Sequence, residues 1–225
     1  MGIDRNSSTH SATPLSFRIG VICGSQRVVQ AGSQITDFVE AVVKDSLSIP
    51  HGIDLVRINI KDVGLPLLDE PGLPKFFKST DNNKHEHTRR WSRTITRLDG
   101  FIFITPDYNS NIPAGLKNAL DYLWHEWEGK PAMIISYGGS GGIQAAASLK
   151  LTCAKGLQMK VVDTVVNLKY GTFETLMRAA SGEDMGLLPL GRTSLWTSEI
   201  PTIQQALNEL LDLLNLSINA AEVVG

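Results

Sequence analysis

Cysteine is scarce in this chain, with only Cys23 and Cys153 in 225 residues, so no disulfide framework is available to it. Both thiols fall in apolar or helical stretches and read as small buried hydrophobes. A reducing, cytoplasmic setting follows as the expectation. Long apolar runs are absent too. None approaches the ~20 residues of a membrane-spanning helix. There is no strong excess of either charge: the formal net charge is -2 and the pI about 6.2. Neither nucleic acid nor an anionic membrane is expected as a main partner. The start, MGIDRNSSTHSATPLSF, lacks the apolar core of a secretory signal. It holds a single arginine, Arg5, unlike a transit peptide, and Asn6 stands where N-myristoylation wants Ser or Thr. Residues 1–15 read instead as a disordered tail. No internal repeat and no linker divides the rest, so residues 16–220 are expected to form a single domain.

What is present is alternation. Apolar runs of strand length are followed by segments of helical period. FRIGVIC (Phe17 to Cys23) predicts a first strand, and Ser33 to Ser46, apolar at Ile35, Phe38, Val39, Val42 and Val43, a first helix. IDLVRIN (Ile53 to Asn59), GFIFIT (Gly100 to Thr105), PAMIIS (Pro131 to Ser136) and MKVVDTVV (Met159 to Val166) predict four more strands. Helices are expected over Lys84 to Leu98, from Pro113 through Leu123, over Gln144 to Leu157, and at the end through Ile203 to Leu214. Strands apolar throughout imply a parallel sheet covered on both faces. With right-handed crossovers, the expected fold class is α/β, a doubly wound five-stranded parallel sheet of order 2-1-3-4-5.

Such sheets bind ligands beyond the carboxyl ends of their strands, at the switch point between the first and third. The three most unusual loops of the chain fall there. GSQRVVQAGS (Gly24 to Ser33) leads from strand into helix, where free N–H groups and the helix dipole favour an anion. Ser25 offers a hydroxyl, Arg27 a charge, and Gly32 and Ser33 close approach and a cap. These are parts of a phosphate cradle, though a plain helix cap with a surface arginine uses the same residues. The loop is neither G-x-G-x-x-G nor a P-loop. SYGGSGG (Ser136 to Gly142) lets backbone approach a flat ligand. TPDYNSNIP (Thr105 to Pro113) has Pro106 to stiffen a turn, Tyr108 to pack on a ring and Asn109 to bond a heterocycle edge. A phosphate cradle beside two loops suited to a planar ring points to a mononucleotide, and flavin mononucleotide (FMN) fits best.

TPDYNSNIPAGLKNALDYL resembles the signature T-P-E-Y-N-x-x-x-P-x-x-L-K-N-A-x-D-x-L of the NADPH-dependent FMN reductases. Gly24-Ser25-Gln26-Arg27 resembles that family's G-S-x-R phosphate loop, and Ser136 to Gly142 its later Gly-rich loop. The likeness runs from Phe17 to Leu168, with LPLLDEPGLP, the region of Trp91 and HEWEGKPA closest to the fungal branch. It implies a flavodoxin-like fold, bound FMN, NADPH or NADH as hydride donor, and a quinone, flavin, ferric complex, azo dye or chromate as acceptor. It also implies a homodimer or a tetramer. By position it assigns Ser25, Arg27 and Ser33 or its neighbours Gly32 and Gln34 to the phosphate, and Pro106, Asp107, Tyr108 and Asn109 to the isoalloxazine. Ser136, Tyr137, Gly138, Gly139 and Gly142 would close the other side. The chain departs from the pattern in having Asp107 for glutamate, a longer first loop, and Ser110 where fungal relatives often have tryptophan. That last change opens the space above the flavin or alters nicotinamide stacking. Thr172 to Arg192 matches nothing in the pattern.

No general base, nucleophile or metal is expected, because the flavin carries the chemistry. His85 and His87 sit on a charged helical face and read as solvated rather than metal-binding. His125, Glu126 and Glu128, between Trp124 and Trp127, read as packing or interface residues. The Trp91 region, the proline loop and Trp124/Trp127 are candidate subunit contacts. Rival readings are an NAD-binding Rossmann enzyme, disfavoured by the missing fingerprint, and an FMN-loaded redox-sensing module that regulates a protein partner.

Overall fold

In a computed structural model of the chain, the described residues are 16–47, 52–188, 190 and 195–224. The expected N-terminal tail lies outside them. The chain runs β1 (Ser16–Cys23), α1 (Gly32–Ser46), β2 (Gly52–Asn59), the short α2 (Ile60–Val63), α3 (Glu86–Thr96), β3 (Gly100–Pro106), α4 (Ala114–Asp121), β4 (Pro131–Gly138), α5 (Ile143–Leu151), β5 (Lys160–Lys169), α6 (Phe173–Ser181) and α7 (Ile200–Val224). The strands pair in parallel as one five-stranded sheet of order β2-β1-β3-β4-β5, the flavodoxin-like order.

Two apolar layers cover the sheet. Because strand side chains alternate faces, Ile102 and Ile104 of β3 join α1 and α7 on one side, through Ile35, Phe38, Val39, Ile203, Leu207 and Leu210. Phe101 and Phe103 point the other way, to Trp91 and Ile95 of α3, Leu116 and Leu120 of α4, and Leu149 of α5. Every residue of β3 is buried, as a central parallel strand requires.

Several boundaries differ from expectation. β4 runs on to Gly138 and β5 to Lys169, each past the predicted end. The helix predicted to reach Leu157 is α-helical only to Leu151 and continues as a π-helical turn, Thr152–Gly156, that turns the chain back into β5. Pro113 caps α4 instead of opening it. A helix absent from the prediction, α6, forms within the segment that matched no pattern; its N-cap Thr172 accepts from the Thr175 N–H.

Candidate functional site

The registers of the sheet decide where the loops emerge. Cys23 at the end of β1 pairs with Ile104, Pro106 at the end of β3 with Tyr137, and Gly138 at the end of β4 with Lys169. The strands therefore stop at a common rim and their loops meet there. They enclose a cavity of about 130 Å³ lined by Ser25 and Arg27 of the first loop, Pro106, Asp107 and Tyr108 of the second, and Tyr137, Gly138 and Gly139 of the third.

The first loop is built to receive an anion. Gln26 packs its side chain on α4 where Gly115 lacks a Cβ; a Cβ there would fall 1.8 Å from the Gln26 amide oxygen. This anchors the loop below, and the next residue, Arg27, lines the cavity. The Arg27 guanidinium lies 4.5 Å over the Tyr108 ring, with no carboxylate partner among the described residues. Ser25, itself buried, shares a 2.9 Å hydrogen bond with the Tyr108 hydroxyl. The next residues enter α1, whose opening N–H groups have no intrahelical acceptor. No acidic side chain sits in that first turn to neutralise the dipole.

Gln30 supplies the sharpest sign of a missing partner. Its Nε2 and Oε1 are both buried and neither has a hydrogen-bond partner, yet the residue lines the cavity. Buried polar groups are paired in the great majority of cases. Gly32 lies directly behind it: a Cβ there would meet Gln30 Oε1 at 2.7 Å, the Tyr137 hydroxyl at 2.9 Å and Cys23 Sγ at 3.0 Å. The backbone can come this close only because the side chain is absent.

The second loop is a tight reversal. Tyr108 and Asn111 exchange backbone hydrogen bonds of 2.8 and 3.2 Å, and the two residues between them, Asn109 and Ser110, have φ of 53° and 65°. Positive φ at both central positions is the type I′ pattern, which favours Asn-Gly and here holds Asn-Ser. The Asp107 carboxylate stabilises the turn by accepting the Ser110 N–H at 2.7 Å. The loop thus presents Tyr108 inward and leaves Asn109 exposed.

Ser33, Gln34, Asn109, Ser136 and Gly142 do not line the cavity. Ser33 sits on the first turn of α1. Gln34 turns its side chain away, donating to the Glu183 carbonyl and accepting from the Met185 N–H, both at 2.9 Å. Ser136 is buried beneath the Gly-rich loop; its hydroxyl donates to the Gly141 carbonyl at 2.7 Å and accepts from the Asn167 amide at 2.6 Å. Gly142, at φ 73°, brings the loop back against Tyr137 and caps α5. Ser136 and Gly142 thus hold the shape that Gly138 and Gly139 present.

Residues that sequence reasoning missed complete the walls: Gln30, Tyr170, and Leu176, Ala179 and Ala180 of α6. Tyr170 follows β5 directly. Ending that strand at Val166 had hidden that its carboxyl end reaches the same rim. Gln30 could not be found by residue type, since its lack of a partner is a property of packing.

Burial pushes the Tyr137 phenol well above its ordinary range, and the Tyr170 phenol upward likewise. Both remain neutral hydroxyls near neutral pH. Burial also raises the Cys23 thiol, and lifts Cys153 to about 12. Neither cysteine presents a thiolate, in accord with the reading of both as buried hydrophobes. Among the described residues no group of His, Cys, Asp or Glu could hold a metal, and no helix is long and apolar enough to cross a membrane.

The other polar clusters are structural. His87 pairs with Asp69 at 2.9 Å, and Asp69 also accepts from the Tyr122 hydroxyl, which ties the proline loop to α3 and α4. His125 bonds Glu128 and the Lys75 carbonyl, and Glu126 accepts from Ser92. Trp91 and Trp127 are 2% and 0% exposed, packed against Ala119 and Phe101 respectively. Both are core side chains that cannot themselves meet a second subunit; of the three tryptophans only the half-buried Trp124 faces outward.

Comparison with known proteins agrees with this geometry. The model of the NADPH-dependent FMN reductase family matches residues 17–172. An NAD(P)H-dependent FMN reductase of Nectria sp is 35% identical over 199 residues, 88% of this chain and 96% of that protein. One of Schizosaccharomyces pombe is 42% identical over 148 residues, 66% of this chain and 70% of its own length. The flavoenzyme FerB, an NAD(P)H:(acceptor) oxidoreductase of Paracoccus denitrificans, shares the fold at a TM-score of 0.61 with 19% identity, covering 88% of this chain and 97% of its own. A family match over most of its length and a relative aligned nearly end to end make this chain a member of the NADPH-dependent FMN reductase family.

Proposed function

We propose that residues 16–220 form a single FMN-binding domain that takes reducing equivalents from NAD(P)H and delivers them to a quinone or another small-molecule acceptor. The observation that carries this reading is the single cavity into which the three loops and the partnerless Gln30 amide all point. The fit to FMN is chemical. A dianionic phosphate would meet the free N–H groups at the opening of α1, together with the Ser25 hydroxyl, the unpaired Arg27 guanidinium and the Gln30 Nε2. Pro106, Asp107 and Tyr108 would border one side of the ring system, with Asn109 at its open edge, and Tyr137, Gly138 and Gly139 the other. The Gln30 amide gains the partner it lacks, and Arg27 exchanges a ring for a charge.

Bound FMN supplies the two-electron chemistry between nicotinamide and acceptor. The chain's task is to bind, orient and tune. Backbone N–H groups of the Gly-rich loop, held in place by Ser136, offer donors where negative charge develops on reduction. Tyr137, kept neutral by burial, adds a polar but uncharged wall. No side chain is required to abstract a proton. Ser110, small and exposed in the type I′ turn, leaves that side of the opening uncrowded for nicotinamide and acceptor in turn. Shared access through one opening predicts ping-pong kinetics.

A homodimer extends this reading. Leu67, Leu73 and Phe76 of the proline loop are 85%, 64% and 73% exposed. Leu73 also lines a groove of about 540 Å³ with Trp124, Leu151 and Leu157, bordered by Lys75, Lys117, Asp121 and Lys155. Contiguous exposed apolar surface of this kind marks an interaction site, and we assign it to a second copy of the chain in a reducing cytoplasm. Steady-state oxidation of NADPH with a benzoquinone tests the enzyme reading. Turnover in proportion to bound FMN is expected. Negligible turnover by FMN-loaded protein would favour the redox-sensing module instead.

A further inference from the structure

The match to the family ends at Thr172, one residue before α6 begins. The segment beyond it nevertheless reaches into the site. Leu176, Ala179 and Ala180 line the same cavity as Ser25, Arg27, Val29 and Gln30. On the basis of the FMN reading above, we propose that α6 is the outer wall of the cofactor's phosphate end, clamped in place from α1 by Gln34.

Three contacts fix the wall. The Gln34 side chain takes both backbone partners offered by the turn after α6, Glu183 O and Met185 N, each at 2.9 Å. Arg178 donates to the Asp184 carbonyl and closes that turn on the helix. Gly182, at φ +73°, lets the turn pass against the first loop, since a Cβ would lie 2.8 Å from Val29 Cγ1. Gln34 sits on the first turn of α1, whose N–H groups form the cradle. One residue therefore sets the distance between cradle and wall. Without α6 the outer side of the loop would face water, as the nearby Val28 does at 94% exposure. Gln34 thereby acts as a positioning residue, through α6.

The test uses apo-protein titrated with FMN and, separately, with riboflavin, which lacks the phosphate, while flavin fluorescence is followed. Ala180 is exposed, so charge is tolerated there without cost to the core. Beside a phosphate, Ala180→Glu is expected to raise the FMN dissociation constant about tenfold or more. Ala180→Lys is expected to leave it unchanged or lower it. Riboflavin affinity should stay within about twofold in both. Met177→Glu, on the solvent side of the same helix, should leave both affinities near wild type. FMN affinities that agree between the Glu and Lys variants, or riboflavin shifts that track those of FMN, would overturn the proposal. The clamp has its own arm: Gln34→Ala should speed amide hydrogen exchange over 173–185 together with FMN release. Faster release without faster exchange would mean that Gln34 touches the cofactor itself, and the clamp is then wrong. Wild-type protein that takes up no FMN would remove the functional reading, and this proposal with it.

Discussion

Among single residues, three make opposed or separable predictions. Arg27 is the positive charge lining the cavity, and Arg27→Ala should weaken FMN binding about ten- to a hundredfold, the span of one or two charge-assisted hydrogen bonds. Gln30 should behave differently. Its buried amide has no partner in the ligand-free protein, and an unmet buried polar group costs about 1–3 kcal/mol. Gln30→Leu should therefore raise the urea midpoint of the apo-protein while weakening FMN, two shifts of opposite sign. A variant that loses both, or neither, would show that the amide is satisfied in solution. Ser110, at φ 65°, bears a left-handed conformation that costs about 1 kcal/mol for a side-chain-bearing residue. Ser110→Gly should recover about that much stability, read from denaturant unfolding. Ser25, Arg27 and Tyr108 were legible in the sequence because their chemistry is in their type and their position follows from strand ends. Gln30 was not, because a missing partner exists only once the neighbours are in place. The Asn109-Ser110 turn escaped for a related reason: without a glycine it lacks the usual mark of a type I′ turn.

At the level of elements, the ends of strands and helices govern the site more than their middles. Lys130, just before β4, donates to the Ile95 and Thr96 carbonyls at 2.8 and 3.2 Å and so caps α3 from a distance. Burial lowers its ammonium from 10.5 to about 8, with Asp99 and Glu126 opposing the shift. Since the folded state prefers the neutral amine, the unfolded chain binds the extra proton between those two values, and stability rises with pH across that window. Below about 8 the burial penalty is fully present. Lys130→Met should abolish this rise, seen by comparing urea midpoints of the two proteins at neutral and alkaline pH. An equal rise in both would place its origin elsewhere. Helix α1 and strands β1 and β3 announced themselves by unbroken apolar periodicity. β5 did not, because its far end alternates polar and apolar residues, Asn167, Leu168 and Lys169, as a sheet-edge strand does. Its truncation in the sequence reading is what concealed Tyr170. Helix α6 was missed although Phe173, Leu176, Met177 and Ala180 recur at helical spacing, because it spans only nine residues and lies between Gly171 and Gly182 in a stretch that reads as irregular.

Taken whole, the molecule gathers its loop-lined cavity at the rim of the sheet, while the exposed groove lies between the proline loop, α4 and α5. The groove predicts association: Leu73→Asp combined with Phe76→Asp should convert a dimer to a monomer in analytical ultracentrifugation, and an unchanged sedimentation coefficient would refute that interface. The fold class and strand order were readable because parallel topology leaves few alternatives once strands and helices alternate. Which surfaces stay exposed was less so, as Trp91 and Trp127 show; a tryptophan near a predicted edge gives no sign of whether a core will close over it. The central claim is that the three loops hold a flavin able to accept reducing equivalents from a nicotinamide. It is tested most directly by the visible absorption spectrum of the purified protein, recorded before and after anaerobic addition of NADPH. Flavin bands that bleach in proportion to bound FMN are predicted. A colourless protein that takes up no added FMN, or a flavin spectrum that NADPH leaves untouched, would contradict the account.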